Sequence, residues 1–175
     1  MPGPLSRSQV LDATLALAEE DGLDAVSMRA VARRLGVTPM ALYRHVGDKQ
    51  GLLDGLVERL LEELPEPDPA LPWPERLALL GDSLRKTARR HPDVFLMLLK
   101  RPATTPEAKR RRAIVYRALE DAGVPPDQVP RIERLLSTFM IGFAASEANG
   151  RFRGHSRKTL DEDLGWLQAL LTPNA

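Results

Sequence analysis

Five cations, Arg29, Arg33, Arg34, Arg44 and Lys49, fall between Met28 and Gln50 with a single acid, Asp48, among them. The flanks carry the opposite sign. Asp12, Glu19, Glu20, Asp21 and Asp24 come before, and Asp54, Glu58, Glu62, Glu63, Glu66 and Asp68 come after. The chain as a whole has a net charge of only +1, so any attraction to nucleic acid has to come from this segregated patch. Charge alone also fits a solvated helix face, since arginine-rich helices are common.

The elements that would position these cations favour the first reading, because residues 27–49 read as two short helices joined by a tight turn, a DNA-reading device. Ser27 suits a helix N-cap, followed by Met28, Val31, Ala32 and Leu35 at helical spacing. Gly36 ends that helix, since glycine enters the left-handed conformation without a Cβ penalty, and Val37 tucks into the angle. Thr38 is the next N-cap, and Pro39 follows at the first helical position, where its missing N–H costs nothing. The second helix is expected to run to about His45, with Gly47 breaking it. Leu35, Val37 and Leu42 read as core of the pair.

Composition bounds the rest. At 175 residues and 43% hydrophobic content, the chain suits one compact domain or two small ones sharing a core. Without cysteine there are no disulfides and no thiolate zinc sites. No basic-then-apolar leader opens the sequence, and apolar runs such as 94–99 are far too short to span a bilayer, so a cytoplasmic protein without membrane association is expected. His45, His91 and His155 are scattered, and no phosphate loop, histidine pair or serine elbow accompanies them. The acids of Glu19-Glu20, Glu62-Glu63 and Asp161-Glu162-Asp163 read as solvated helix ends. The expectation is a protein that is not an enzyme, with no cofactor and no metal site.

About nine helical segments and no strand alternation give an all-α fold. Ser6-Arg7-Ser8-Gln9 is a capping box opening a first helix that carries Val10, Leu11, Thr14, Leu15 and Ala18 inward until Asp21-Gly22. Asp48 caps a fourth helix with an apolar stripe of Leu52, Leu53, Leu56, Val57, Leu60 and Leu64, too broad for a free surface helix and therefore bridging two layers. Pro65, Pro67, Pro69, Pro72 and Pro74 mark an extended connector. The expected division is a helix-turn-helix domain at 1–50, a linking helix at 48–64, and a second helical domain at 65–175. Helices are expected there over 75–90, 93–100, 106–122 and 127–150, with a last one striped by Leu160, Leu164, Leu167 and Leu171.

Residues 10–53 resemble the N-terminal DNA-binding domain of the tetracycline-repressor (TetR) family of transcriptional regulators. The resemblance rests on Glu20-Asp21-Gly22 after an Ala-rich helix, Ser27-Met28-Arg29-Ala30-Val31-Ala32, Leu35-Gly36-Val37, Ala41-Leu42-Tyr43 with His45, and Asp48-Lys49 before Leu52-Leu53. The remainder is similar to the family's effector and dimerisation domain, above all at Phe139-Met140-Ile141-Gly142-Phe143. The fold it implies is a three-helix DNA-binding domain followed by a helical effector and dimerisation domain.

The resemblance implies roles for named residues. Tyr43, His45 and Lys49 match positions that hold the DNA backbone, which suits groups able to donate to phosphate without reading sequence. Tyr43 and His45 have packing as the competing role. Arg29 matches a position entering the major groove, where an arginine can take guanine O6 and N7 together. Pro39, Met40 and Ala41 match base-facing positions and offer apolar contact to thymine methyls, which enlarges the share left to Arg29, Arg44 and DNA shape. Arg44 replaces the aromatic common in the family. Met28 and Thr38 complete the expected DNA-binding set.

Such a domain touches few base pairs, so a homodimer on a near-palindromic operator in double-stranded DNA is expected. Ile132, Leu136, Phe139, Phe143, Leu160, Leu164 and Leu167 are the expected interface, with small residues Gly142, Ala144, Ala145 and Ala148 permitting close approach. The family also implies a small-molecule effector. Its candidate pocket is walled by Trp73, His91, Phe95, Met97, Tyr116, Met140, Phe143 and Glu147, each of which also suits plain core. Met97 stands where a magnesium-binding histidine is expected in a tetracycline receptor, which argues against that drug. The competing reading is a helical partner-binding module that kept the fold without specific DNA binding.

Overall fold

The computed structural model describes residues 4–101 and 105–154, with residues 158, 162 and 165. Among the described residues it is built of helices alone: α1 (Arg7–Asp21), α2 (Met28–Leu35), α3 (Pro39–Val46), α4 (Lys49–Glu62), α5 (Trp73–Arg90), α6 (Pro92–Phe95), α7 (Met97–Lys100), α8 (Pro106–Asp121) and α9 (Val129–Ala148). A single 3-10 turn, Leu23–Ala25, joins α1 to the segment before α2. Leu160, Leu164, Leu167 and Leu171 of the last expected helix lie outside the described residues.

Helix ends follow local chemistry. Ser6 Oγ accepts the Gln9 N–H at 3.2 Å while Gln9 Oε1 accepts the Ser6 N–H at 2.8 Å, the reciprocal pair a capping box requires. Inside α1 the buried positions are Val10, Leu11, Ala13, Thr14, Leu17 and Ala18; Leu15, expected inward, is half-buried, and Leu17 fills the core instead. Thr14 is fully buried at no polar cost because its hydroxyl donates to the Val10 carbonyl at 2.7 Å. α5 starts at Trp73, two residues early, since Pro74 sits in a first turn that needs no N–H from it. The expected single helix at 93–100 is two, separated at Leu96, and across this break Phe95 enters one core and Met97 another.

Two cores result. The first gathers Val10, Leu17, Val26, Val31, Leu42, Leu52, Leu56 and Leu60 from α1–α4 and their connections, and it also takes Val94 and Met97 from beyond the proline connector. The second joins Ala88 of α5, Phe95 and the pair Ala144–Ala145 of α9. α4 packs on α1 and α3 on one side and on α6, α7 and α8 on the other, which explains its broad stripe. Its start is tightly fitted: a Cβ on Gly51 would lie 1.7 Å from the Val46 carbonyl oxygen. Gly51→Ala must push α4 away from the end of α3, and a loss of about 1–3 kcal/mol is expected in chemical denaturation.

Candidate nucleic-acid interface

The α2–α3 corner is built from the residues that end and begin helices. Ser27 Oγ accepts the Ala30 N–H at 3.2 Å to start α2. Gly36 is left-handed, at φ 67°, and the Val37 N–H returns to the Ala32 carbonyl at 3.0 Å, closing the helix in a Schellman-like turn. Thr38 is extended and spends no side-chain hydrogen bond on the cap, so its exposed hydroxyl is uncommitted. Pro39 then opens α3. Leu42 is fully buried in the first core, and Leu35 and Val37 pack against it half-buried, so the opposite face of α3 is fixed outward.

That outward face carries most of the expected DNA set. Met40 is 76% exposed and Tyr43 49%, with Arg44 exposed beside them one turn along from Met40. Arg29, Thr38, Pro39 and Lys49 are also exposed, and Ala41 is half-exposed. Met28 departs from expectation: its side chain lies on the apolar stripe of α2 and is buried in the first core, so it presents nothing to a base. His45 is half-buried and its Nε2 is shielded without a hydrogen-bond partner, which makes that nitrogen a packed group with no access to a phosphate.

The charges sort in the same way. Arg34 is engaged by Glu20 of α1 through two bonds of 2.6 Å, and this hydrogen bond holds the Glu20 carboxyl below the usual carboxylate range. Arg29, Arg33, Arg44 and Lys49 have no ion-pair partner among the described residues. A protein that leaves four cations and two large apolar side chains bare on one corner has a surface suited to an acidic, groove-bearing polymer.

The eight residues expected around an effector pocket divide among several environments. Phe95 and Met97 are buried in different cores. His91 lies at the junction of the two halves: Nδ1 faces Glu19 of α1 and Nε2 faces Glu63 Oε1 at 2.7 Å, just past α4. Glu147 is bound by the guanidinium of Arg85, itself 2% exposed, through bonds of 2.7 and 2.9 Å. Met140 lies over the buried Gly81, where an added Cβ would come within 3.0 Å of Cε. Trp73 and Tyr116 are half-buried at the start of α5 and on α8. Arg101 makes a second junction contact that the sequence did not signal, donating to Asp54 at 2.7 Å and to Gln50 Oε1 at 2.9 Å on α4.

Of the expected dimer residues, those on α9 form an uncovered stripe: Phe139 is 45% exposed, and Ile132, Leu136 and Phe143 are half-exposed. Leu135, 60% exposed, belongs with them, and its i, i+4 relation to Phe139 was the available signal. Phe139 and Phe143 stack at 6.0 Å, and Phe152 adds a third ring 5.1 Å from Phe143. Ala144 and Ala145 face the second core, away from this stripe.

Known proteins match this chain on both sides of the proline connector. The family model for bacterial regulatory proteins of the tetR family matches residues 10–56, and the tetracyclin repressor-like C-terminal domain matches residues 77–167. An HTH-type transcriptional regulator of Saccharopolyspora erythraea is 29% identical over 163 residues, spanning 91% of this chain and 69% of that protein. BioQ, solved with its double-stranded DNA operator, superposes with a TM-score of 0.79 at 26% identity over 97% of this chain and 99% of that one. ActR of Streptomyces coelicolor, solved with actinorhodin, gives 0.73 at 28% identity over 95% and 79%. With one family model on each side of the connector, the second taking in more than half of its length, the chain belongs to the TetR family of bacterial transcriptional regulators.

Proposed function

We propose that the protein is a cytoplasmic, dimeric repressor that reads a near-palindromic operator through α2 and α3 and is released by a small apolar or aromatic ligand. The observation that carries this is the bare corner: Met40 and Tyr43 stay exposed beside unpaired Arg29, Arg44 and Lys49. In this reading Arg29 and Arg44 supply donors to base edges, Met40 and Ala41 meet thymine methyls, and Thr38, Tyr43 and Lys49 hold phosphates. The reading domain is residues 1–50, α4 links it, and 65–175 binds effector and partner. The α9 stripe of Ile132, Leu136, Phe139 and Phe143, together with Leu160, Leu164 and Leu167, forms the dimer contact.

The likeness to actinorhodin-bound ActR supports a ligand seat in the second half. Trp73, Tyr116, Met140 and Phe143 are its walls here, since the other four candidates are engaged in cores and ion pairs. Ligand occupancy favours one spacing of the two α3 helices and shifts the population away from the DNA-competent state. No described helix is long and apolar enough to cross a membrane.

Fluorescence anisotropy tests the reading, with DNA from upstream of the gene and a scrambled duplex titrated across a salt series. A preference beyond about a hundredfold, with a steep salt slope, is expected. Equal weak binding to both duplexes would leave an operator elsewhere or a partner-binding module, which Arg29→Ala and Tyr43→Ala then separate.

A further inference from the structure

His91 is 7% exposed at its side chain, and both ring nitrogens face carboxylates. Nδ1 meets Glu19 on α1, in the reading domain, and Nε2 meets Glu63 at the end of α4. A carboxylate only accepts, and a neutral imidazole carries one N–H and one lone pair. Both contacts are therefore satisfied only when the cluster holds an additional proton, as imidazolium between two carboxylates.

The surroundings make the two arms unequal. Glu63 also accepts from Thr87 at 3.2 Å and from Arg90 at 3.1 Å, both on α5. Glu19 has His91 as its only hydrogen-bond or ion-pair partner among the described residues, and it shares a cleft of about 400 Å³ with Arg90, His91, Pro92, Asp93 and Val94. That cleft brings solvent to the cluster. Asp93 of α6 and Arg90 of α5 line the same cleft. Glu19, its side chain 39% exposed, has solvent to turn to when the ring keeps only its bond to Glu63.

We propose that His91 is a positioning residue for operator binding: protonated, it ties α1 and the end of α4 to the α5–α6 corner, and losing its proton frees the reading domain. Slack in that domain must be removed each time two copies settle on one operator, so affinity falls as pH rises. This rests on the DNA-reading role proposed above.

The test compares wild type, His91→Asn and Glu19→Gln by anisotropy on the duplex the wild type prefers, over about pH 5.5 to 8.5, where an imidazole changes charge. Any pH dependence common to all three proteins cancels in the comparison. Wild type is expected to lose roughly tenfold more affinity over that range than His91→Asn, the worth of one charged hydrogen bond. Glu19→Gln should flatten the curve too, because an amide can donate to the neutral ring. Parallel curves for all three overturn the proposal. If circular dichroism shows His91→Asn unfolded, Glu19→Gln decides alone. If wild type prefers no duplex, the proton latch is judged on melting temperature: a wild-type excess over Glu19→Gln that shrinks as pH rises supports it, and a constant difference overturns it.

Discussion

Arg29→Ala is expected to remove most of the preference for the operator, and Tyr43→Phe to weaken operator and scrambled DNA alike. A bidentate arginine–guanine pair discriminates by about 1–3 kcal/mol, and a two-fold symmetric dimer makes each contact twice, so the loss is roughly 2–6 kcal/mol, or thirtyfold to more than ten-thousandfold. The exposed Tyr43 hydroxyl offers one donor to a phosphate, which carries no sequence information. Anisotropy on both duplexes separates the two effects. If Arg29→Ala lowered both affinities in proportion, Arg29 would be a phosphate contact, and specificity would fall to Arg44 and DNA shape. If neither substitution changed binding, the α2–α3 corner would not be the interface.

Glu147→Ala is expected to cost about 3–5 kcal/mol of stability in urea denaturation, the cost of stripping the carboxylate from a buried guanidinium. Arg85 is 2% exposed and donates to Glu147 at 2.7 and 2.9 Å, with Asp82 standing at 3.7 Å. Against the roughly 5–15 kcal/mol by which most domains are stable, this loss endangers folding. The paired replacement Arg85→Met with Glu147→Leu removes both charges and is expected to recover part of that loss. Glu147 is also a residue that sequence alone could assign to a ligand pocket. A pocket role without a structural one would leave stability within about 0.5 kcal/mol after Glu147→Ala.

What can be read from the sequence divides by distance along the chain. Ser6, Ser27 and Asp48 cap helices within three residues of themselves, and Gly36 and Gly47 end them by their own backbone freedom, so the α1–α4 architecture is written in short-range chemistry. The exposed positions of α3 follow from Leu42 pointing inward. Met28 turns the other way from its expected role because matching a motif position says nothing of where that side chain points, and the apolar stripe of α2 decides it. His91 and its partners Glu19 and Glu63 lie 72 and 28 residues apart, and Arg85 and Glu147 lie 62 apart. Nothing local marks such pairs. Phe95 and Met97, two residues apart in an unbroken apolar run, look alike in sequence and belong to different cores because the chain turns between them.

The insertion of Val94 and Met97 into the first core has a consequence for how such regulators diversify. A reading head moved by recombination onto another regulator's body would lose those two plugs, along with the Arg101 grip on Gln50 and Asp54. The proline connector is the obvious seam for shuffling, yet a joint there leaves a hole beneath α4. An exchange of whole modules is therefore expected to need matching changes at Val94, Met97 and Arg101, whereas point changes on the outward face of α3 leave this packing intact.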